Sequence, residues 1–131
     1  MASEETAELI HAQQEATRAG HRLLRNNRGM FLTLDGKRKV RAGLQADGAS
    51  DLIGFTVVTV SPEMVGKQVA VFTSVEVKRR GFKGPRTETE KKQAKFIAYI
   101  NSKGGIGFFC DDGKNIHSLI KKAVDALSRI I

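Results

Sequence analysis

The 131 residues predict an α/β domain, a mixed β-sheet flanked by helices. Three observations carry this. Helix-start signals stand at Ser3 and Thr87, each followed by acidic residues. Two long runs rich in Val, Ile, Phe and Thr, Asp51–Val60 and Gln68–Lys78, have strand character. The C-terminal segment repeats apolar residues at helical spacing.

The elements follow in order. Ser3 caps a helix with Glu4 and Glu5 in its first turn, where the positive end of the helix dipole favours carboxylates. The helix should reach about Ala19 and stop at Gly20. Arg25-Asn26-Asn27-Arg28-Gly29 has turn chemistry. Met30–Leu34 and Lys37–Arg41 read as short strands around a hairpin turn at Asp35-Gly36. Gly43 to Ser50 is a flexible connection. The strands Asp51–Val60 and Gln68–Lys78 are joined through Ser61–Gly66 and should form a hairpin. With its tip near Glu63 and Met64, Asp51 would face Glu76, with Cβ atoms about 4.5–5.5 Å apart. Arg79–Arg86 is a basic loop, expected to be mobile. Thr87-Glu88-Thr89-Glu90 is a capping box opening a second helix, with Phe96, Ile97 and Ile100 on one face and Gln93 at the same spacing. That helix ends at Lys103-Gly104-Gly105. Ile106–Cys110 is a buried strand closed by Asp111-Asp112-Gly113, and a last amphipathic helix carries Ile116, Leu119, Ile120, Ala123, Leu127 and Ile130.

Length predicts one domain, residues 1–131, large enough to bury a core without cross-links. A single cysteine, Cys110, excludes an internal disulfide and suits a reducing compartment. No apolar run approaches the ~20 residues that span a bilayer, and the acidic N-terminus does not resemble a secretion signal. A cytoplasmic protein is expected. The net charge of +8 favours polyanionic partners without specifying one. It is uneven: Ser3–Glu15 is acidic, whereas Arg18–Arg41 and Lys78–Lys95 are basic.

Between the basic segments lies the motif with the most chemistry. Glu76-Val77-Lys78, with Asp51 upstream, offers what a phosphodiesterase site requires. Mg²⁺ prefers oxygen ligands and keeps several waters, so one or two carboxylates suffice from the protein. Asp51 and Glu76 would supply them, and the Val77 carbonyl a third oxygen. Lys78 would orient or deprotonate the attacking water, or neutralise the phosphate. Glu-x-Lys alone is also the pattern of an exposed ion pair, so the weight falls on its combination with Asp51 and Gln93. Arg22, Arg25, Arg28, Lys39, Arg41, Arg79, Arg80 and Lys83 are candidate phosphate contacts. The three histidines show no metal-type spacing with Cys110.

Taken in order, Arg25-Asn26-Asn27-x-Gly29, Gly48-x-x-Asp51-Leu52, Glu76-Val77-Lys78 and Thr89-x-x-x-Gln93 resemble the VRR-NUC family of the PD-(D/E)XK nuclease superfamily. The resemblance spans about Glu4 to Asp112. It implies a restriction-endonuclease-like mixed sheet flanked by helices and Mg²⁺- or Mn²⁺-dependent DNA cleavage. It implies a homodimer that resolves four-way (Holliday) junctions. Asp51 and Glu76 become metal ligands, Lys78 the catalytic lysine and Gln93 the helix glutamine beside the site. A glutamate of the first helix also approaches the metal in that family; Glu8 is the choice, with Glu5 and Glu15 as alternatives. The Asp51-to-Glu76 spacing is longer than that pattern. The C-terminal helix, ending in Ile130-Ile131, is a candidate dimer surface, with packing of the same stripe on the sheet as the alternative. Other readings are a flap or duplex nuclease, or a non-catalytic nucleic-acid-binding protein.

Overall fold

In the computed structural model, which describes residues 3–45 and 48–127, the chain is α/β. Its described residues hold three α-helices and six strands, paired as antiparallel and parallel ladders. They fall into two compact units, Met1–Val58 and Thr59–Ile131.

In the first unit, α1 (Glu4–Arg18) begins where Ser3 Oγ accepts the Thr6 N–H at 3.1 Å and ends at Ala19. Gln13 Nε2 donates to the Leu23 carbonyl and ties α1 to β1 (Arg22–Arg25). β2 (Gly29–Leu32) and β3 (Lys39–Ala42) form the expected hairpin, in the register Met30–Arg41, Phe31–Val40 and Leu32–Lys39. β4 (Leu52–Phe55) pairs antiparallel with β1, from Arg22–Phe55 to Arg25–Leu52. Gly54 makes that pairing possible, since a Cβ there would lie 1.8 Å from the Arg22 carbonyl oxygen.

In the second unit, β5 (Thr73–Val77) runs parallel to β6 (Ile106–Cys110), with Glu76 opposite Phe109 and Val77 opposite Cys110. The connection carries α2 (Glu88–Ser102), as a parallel pair requires a crossover. The capping box is complete. Thr87 Oγ1 accepts the Glu90 N–H, and Glu90 Oε1 accepts the Thr87 N–H, both at 3.1 Å. α2 packs through Ile97 and Ile100 onto β6. The missing side chain of Gly107 lets the helix approach, because a Cβ would meet Ile97 Cγ2 at 3.2 Å. α3 (Ile116–Leu127) follows, and Leu119, Ala123 and Leu127 line, with Phe108 of β6, a cavity of about 400 Å³.

Two expectations are corrected. The hairpin between Asp51–Val60 and Gln68–Lys78 does not form: β4 takes β1 as partner and β5 takes β6. Both strands are also shorter than expected. Val57, Val58, Val60, Val69 and Val71 lie outside strands and are exposed. Their β-propensity describes a fit to a half-buried pleated surface, and they have no ladder partner to provide one. The register that put Asp51 opposite Glu76 is therefore absent; the Asp51 carbonyl accepts the Asn26 N–H at 2.8 Å. Phe96, placed on the buried face with Ile97 and Ile100, is 43% exposed. Ile130-Ile131, named as a candidate dimer surface, lies outside the described residues.

Candidate functional site

The second unit gathers three of the expected site residues. Glu76 stands near the end of β5, and the ladder continues one step further, where the Lys78 N–H donates to the Cys110 carbonyl at 2.8 Å. Period-two alternation puts Glu76 and Lys78 on the same side of the strand. Gln93 reaches that side from the second turn of α2, and its Nε2 donates to Glu76 Oε1 at 2.9 Å. Lys78 Nζ lies 3.8 Å from the same Glu76 oxygen and 3.9 Å from Glu90 Oε2. The lysine side chain is 18% exposed and its Nζ stands 5.8 Å from the centre of the Phe82 ring, a cation–π distance.

One atom in this group is unsatisfied. Gln93 Oε1 is buried and accepts no hydrogen bond among the described residues. The amide cannot be turned to relieve it, because an ionised carboxylate only accepts and the NH₂ must face Glu76. A buried acceptor without a partner is costly, and a cation, a water or an incoming donor would satisfy it. Glu76 and Gln93 open onto a cleft of about 270 Å³ walled by Ser74, Thr89, Lys92 and Phe96. Lys92 adds a positive charge to its lining.

Glu90 has two tasks that the capping-box pattern alone did not reveal. Its carboxylate accepts the Arg86 and Thr87 N–H groups and also faces Lys78. The two backbone donors chiefly, and the lysine to a smaller degree, hold its pKa below the ordinary glutamate value. The available signal was positional: Glu90 and Gln93 are three apart on one helix, so they share a face.

The loop after Lys78 has no regular structure but is tethered. Phe82 packs on Phe109 with ring centres 5.0 Å apart, the Gly81 N–H donates to Asp111 Oδ2 at 2.9 Å, and Arg80 pairs with Asp112 at 3.6 Å. Asp111 and Asp112 thus hold the loop bearing Arg79, Arg80 and Lys83 against the end of β6. Val77, whose carbonyl was expected at the metal, is the last residue of β5.

Asp51 belongs to the first unit, just before β4. There it is exposed and lines a cavity of about 510 Å³ with Asn26, Arg28, Arg41 and Gln45. Asn26 organises this place. Its Nδ2 donates to the Ser50 carbonyl at 3.0 Å and its Oδ1 accepts the Leu44 N–H at 2.8 Å. Gly43, with φ +81°, fits beneath this bracket, and a Cβ there would stand 2.7 Å from Arg28 Cα. Arg25 closes β1, and Lys39 and Arg41 stand on β3, all exposed. Glu8 and Glu5 are exposed on α1, and Glu15 pairs with Arg18.

The donors around Glu76 fit a hard divalent cation in kind: a carboxylate and an unpaired amide oxygen. They fit it as part of a site. Among the described residues no three His, Cys, Asp or Glu side chains form a metal-holding group. Comparison with family profiles, curated proteins and solved structures gave no match. No described helix is long and apolar enough to cross a membrane.

Proposed function

We propose that the protein is a metal-dependent DNA endonuclease that hydrolyses phosphodiester bonds, acting on four-way junctions as a homodimer. One observation carries this reading. Glu76, Lys78 and Gln93, from a strand and a helix, converge beside a cleft with an unsatisfied amide oxygen. A merely structural ion pair would be better served by shorter contacts than 3.8 and 3.9 Å, and at partial exposure such pairs contribute little to stability.

In this reading Glu76 and the Val77 carbonyl would hold Mg²⁺, with Mn²⁺ as a substitute, and the expected set adds Asp51 and Glu8. When bound, the ion supplies Lewis-acid polarisation of the phosphoryl oxygen and neutralises charge. The chain does the rest. Gln93 fixes the rotamer of Glu76 by donating to one carboxylate oxygen. Lys78, held between Glu76 and Glu90 and against Phe82, is positioned to donate to a phosphate oxygen or to orient water. Arg25, Arg28, Lys39, Arg41, Arg79, Arg80 and Lys83 bind the flanking phosphates. Two copies related by a two-fold axis would place two cuts on a symmetric junction.

The test is incubation with labelled four-way junction, flap and linear duplex, in Mg²⁺ or chelator. Metal-dependent paired nicks on the junction are expected. Asp51→Ala, Glu76→Ala and Lys78→Ala should each lower cutting at least ~100-fold while retaining binding in chelator. Gln93→Ala should cut more slowly with unchanged binding. Wild-type cutting by Asp51→Ala would remove Asp51 from the metal. A gel shift without cleavage in any metal would make the protein a binder, and a monomeric light-scattering mass would remove the dimer.

A further inference from the structure

The β2–β3 hairpin exposes more apolar surface than a short ribbon needs. Met30, Phe31, Leu32 and Val40 are all exposed, and Leu34, at its tip, has a relative exposure of 110%. Single exposed apolar residues mean little, whereas a contiguous set marks an interaction surface. The same hairpin is strongly basic. Residues 28–42 hold Arg28, Lys37, Arg38, Lys39 and Arg41 against one acid, Asp35.

That acid is occupied in shaping the tip. Asp35 Oδ1 accepts from Thr33 Oγ1 at 2.5 Å and from the Lys37 N–H at 2.9 Å. Thr33 in turn accepts the Arg38 N–H on its hydroxyl and the Gly36 N–H on its carbonyl. The tip is thus preorganised around Leu34, which lowers the ordering cost of binding. Lys37, Lys39 and Arg41 have no ion pair among the described residues.

The register gathers the cations on one strand. Cross-strand neighbours share a face, so Met30 lies beside Arg41 and Leu32 beside Lys39. On that face the cations stand along β3 and the apolar groups along β2, while Phe31 and Val40 share the other face. A cationic strand edge suits a phosphate rim, and five cations against one acid favour a polyanion of dense, regular charge. A two-stranded ribbon, with strands about 4.8 Å apart, also fits a major groove about 12 Å wide.

We infer that the β2–β3 hairpin is a DNA-engaging arm, in which Lys37, Lys39 and Arg41 clamp phosphates and Leu34 wedges against a base step. The inference rests on the proposed function in taking DNA as the polyanion and Lys39 and Arg41 as phosphate contacts, and it adds Lys37 and the Leu34 wedge. Apolar wedges of this kind partly unstack the step they touch.

The experiment uses the full chain in chelator, so that no cutting intervenes, with duplex and four-way junction carrying 2-aminopurine. Binding by the wild type should raise the fluorescence. Leu34→Ser should abolish that rise, change affinity less than the charge variant does, and leave the salt dependence intact. The triple variant Lys37→Ala, Lys39→Ala, Arg41→Ala should weaken binding at least ~10-fold and reduce the slope of log K against log salt by about 2–3. All four positions are exposed, and far-UV circular dichroism should be unchanged. Wild-type affinity and slope in the triple variant, or a full fluorescence rise with Leu34→Ser, would overturn the inference. So would binding to phosphatidylserine vesicles without binding to duplex. A wild type that engages DNA through this arm but never cuts it in Mg²⁺ would remove the nuclease and leave the arm standing.

Discussion

The two units spend their apolar residues differently. Among the described residues, the hydrophobic side chains that are buried, Ile97, Ile100, Ile106 and Cys110, all belong to Thr59–Ile131. Met1–Val58 instead keeps Met30, Phe31, Leu32, Leu34 and Leu44 in solvent, and its organisation rests on ladders and on the hydrogen bonds of Asn26 and Asp35. Two sets of cations also differ. Lys78 stands between two carboxylates, whereas the lysines of the β2–β3 hairpin have no ion pair among the described residues. A cation held by nearby acids is fixed in direction and little affected by salt; an unopposed exposed one attracts at a distance and is screened. The Glu76 cluster of the second unit is positioned by packing and ion pairs, and the hairpin of the first presents its groups to solvent.

The strongest way to break this comparison is Gly54→Ala. Its Cβ cannot coexist with the Arg22 carbonyl, so β1 and β4 must separate. A loss of more than about 3 kcal/mol is expected, with amide-exchange protection falling across Arg22–Arg25 and Leu52–Phe55. Retained protection there would show that the ladder is misassigned. Next comes a paired measurement. Ile100, only 1% exposed, should cost about 2–4 kcal/mol when changed to alanine, and Leu34→Ala less than about 0.5 kcal/mol in the same denaturant titration. Equal costs would erase the distinction between a packed and a presented apolar residue. The smallest effect is acid sensitivity at the α2 cap. Glu90 has a folded pKa below its unfolded one, so its stabilisation is complete above the ordinary value of about 4.3 and disappears as pH falls through the folded value. Helix loss followed by circular dichroism from pH 6 to 2 should therefore be less steep in Glu90→Gln.

Much of this was legible in the residues themselves. The Ser3 and Thr87 caps, the Asp35-Gly36 turn and the stripe of α3 are local signals, and each element stands where those signals put it. β1 was missed because Arg22–Arg25 offers two apolar residues between two arginines, too few to show a period. The pairing of the central strands was misread because proximity in sequence was taken for proximity in the ladder. A strand, a fifteen-residue helix and a strand in succession were the better guide, since that pattern suggests a parallel crossover. At the site, strand alternation put Glu76 and Lys78 on one face and the family resemblance put Gln93 beside them; the pairing of Asp51 with Glu76 fell with the hairpin, and the role of Glu90 was hidden behind its duty as a cap.

Cys110, 2% exposed at the end of β6, is the chain's lone thiol. Its reagent sees it only when that strand lifts away, so the speed of alkylation in native buffer is a clock for opening of the Thr59–Ile131 half. The molecule carries its own stopwatch, with no probe to be engineered in.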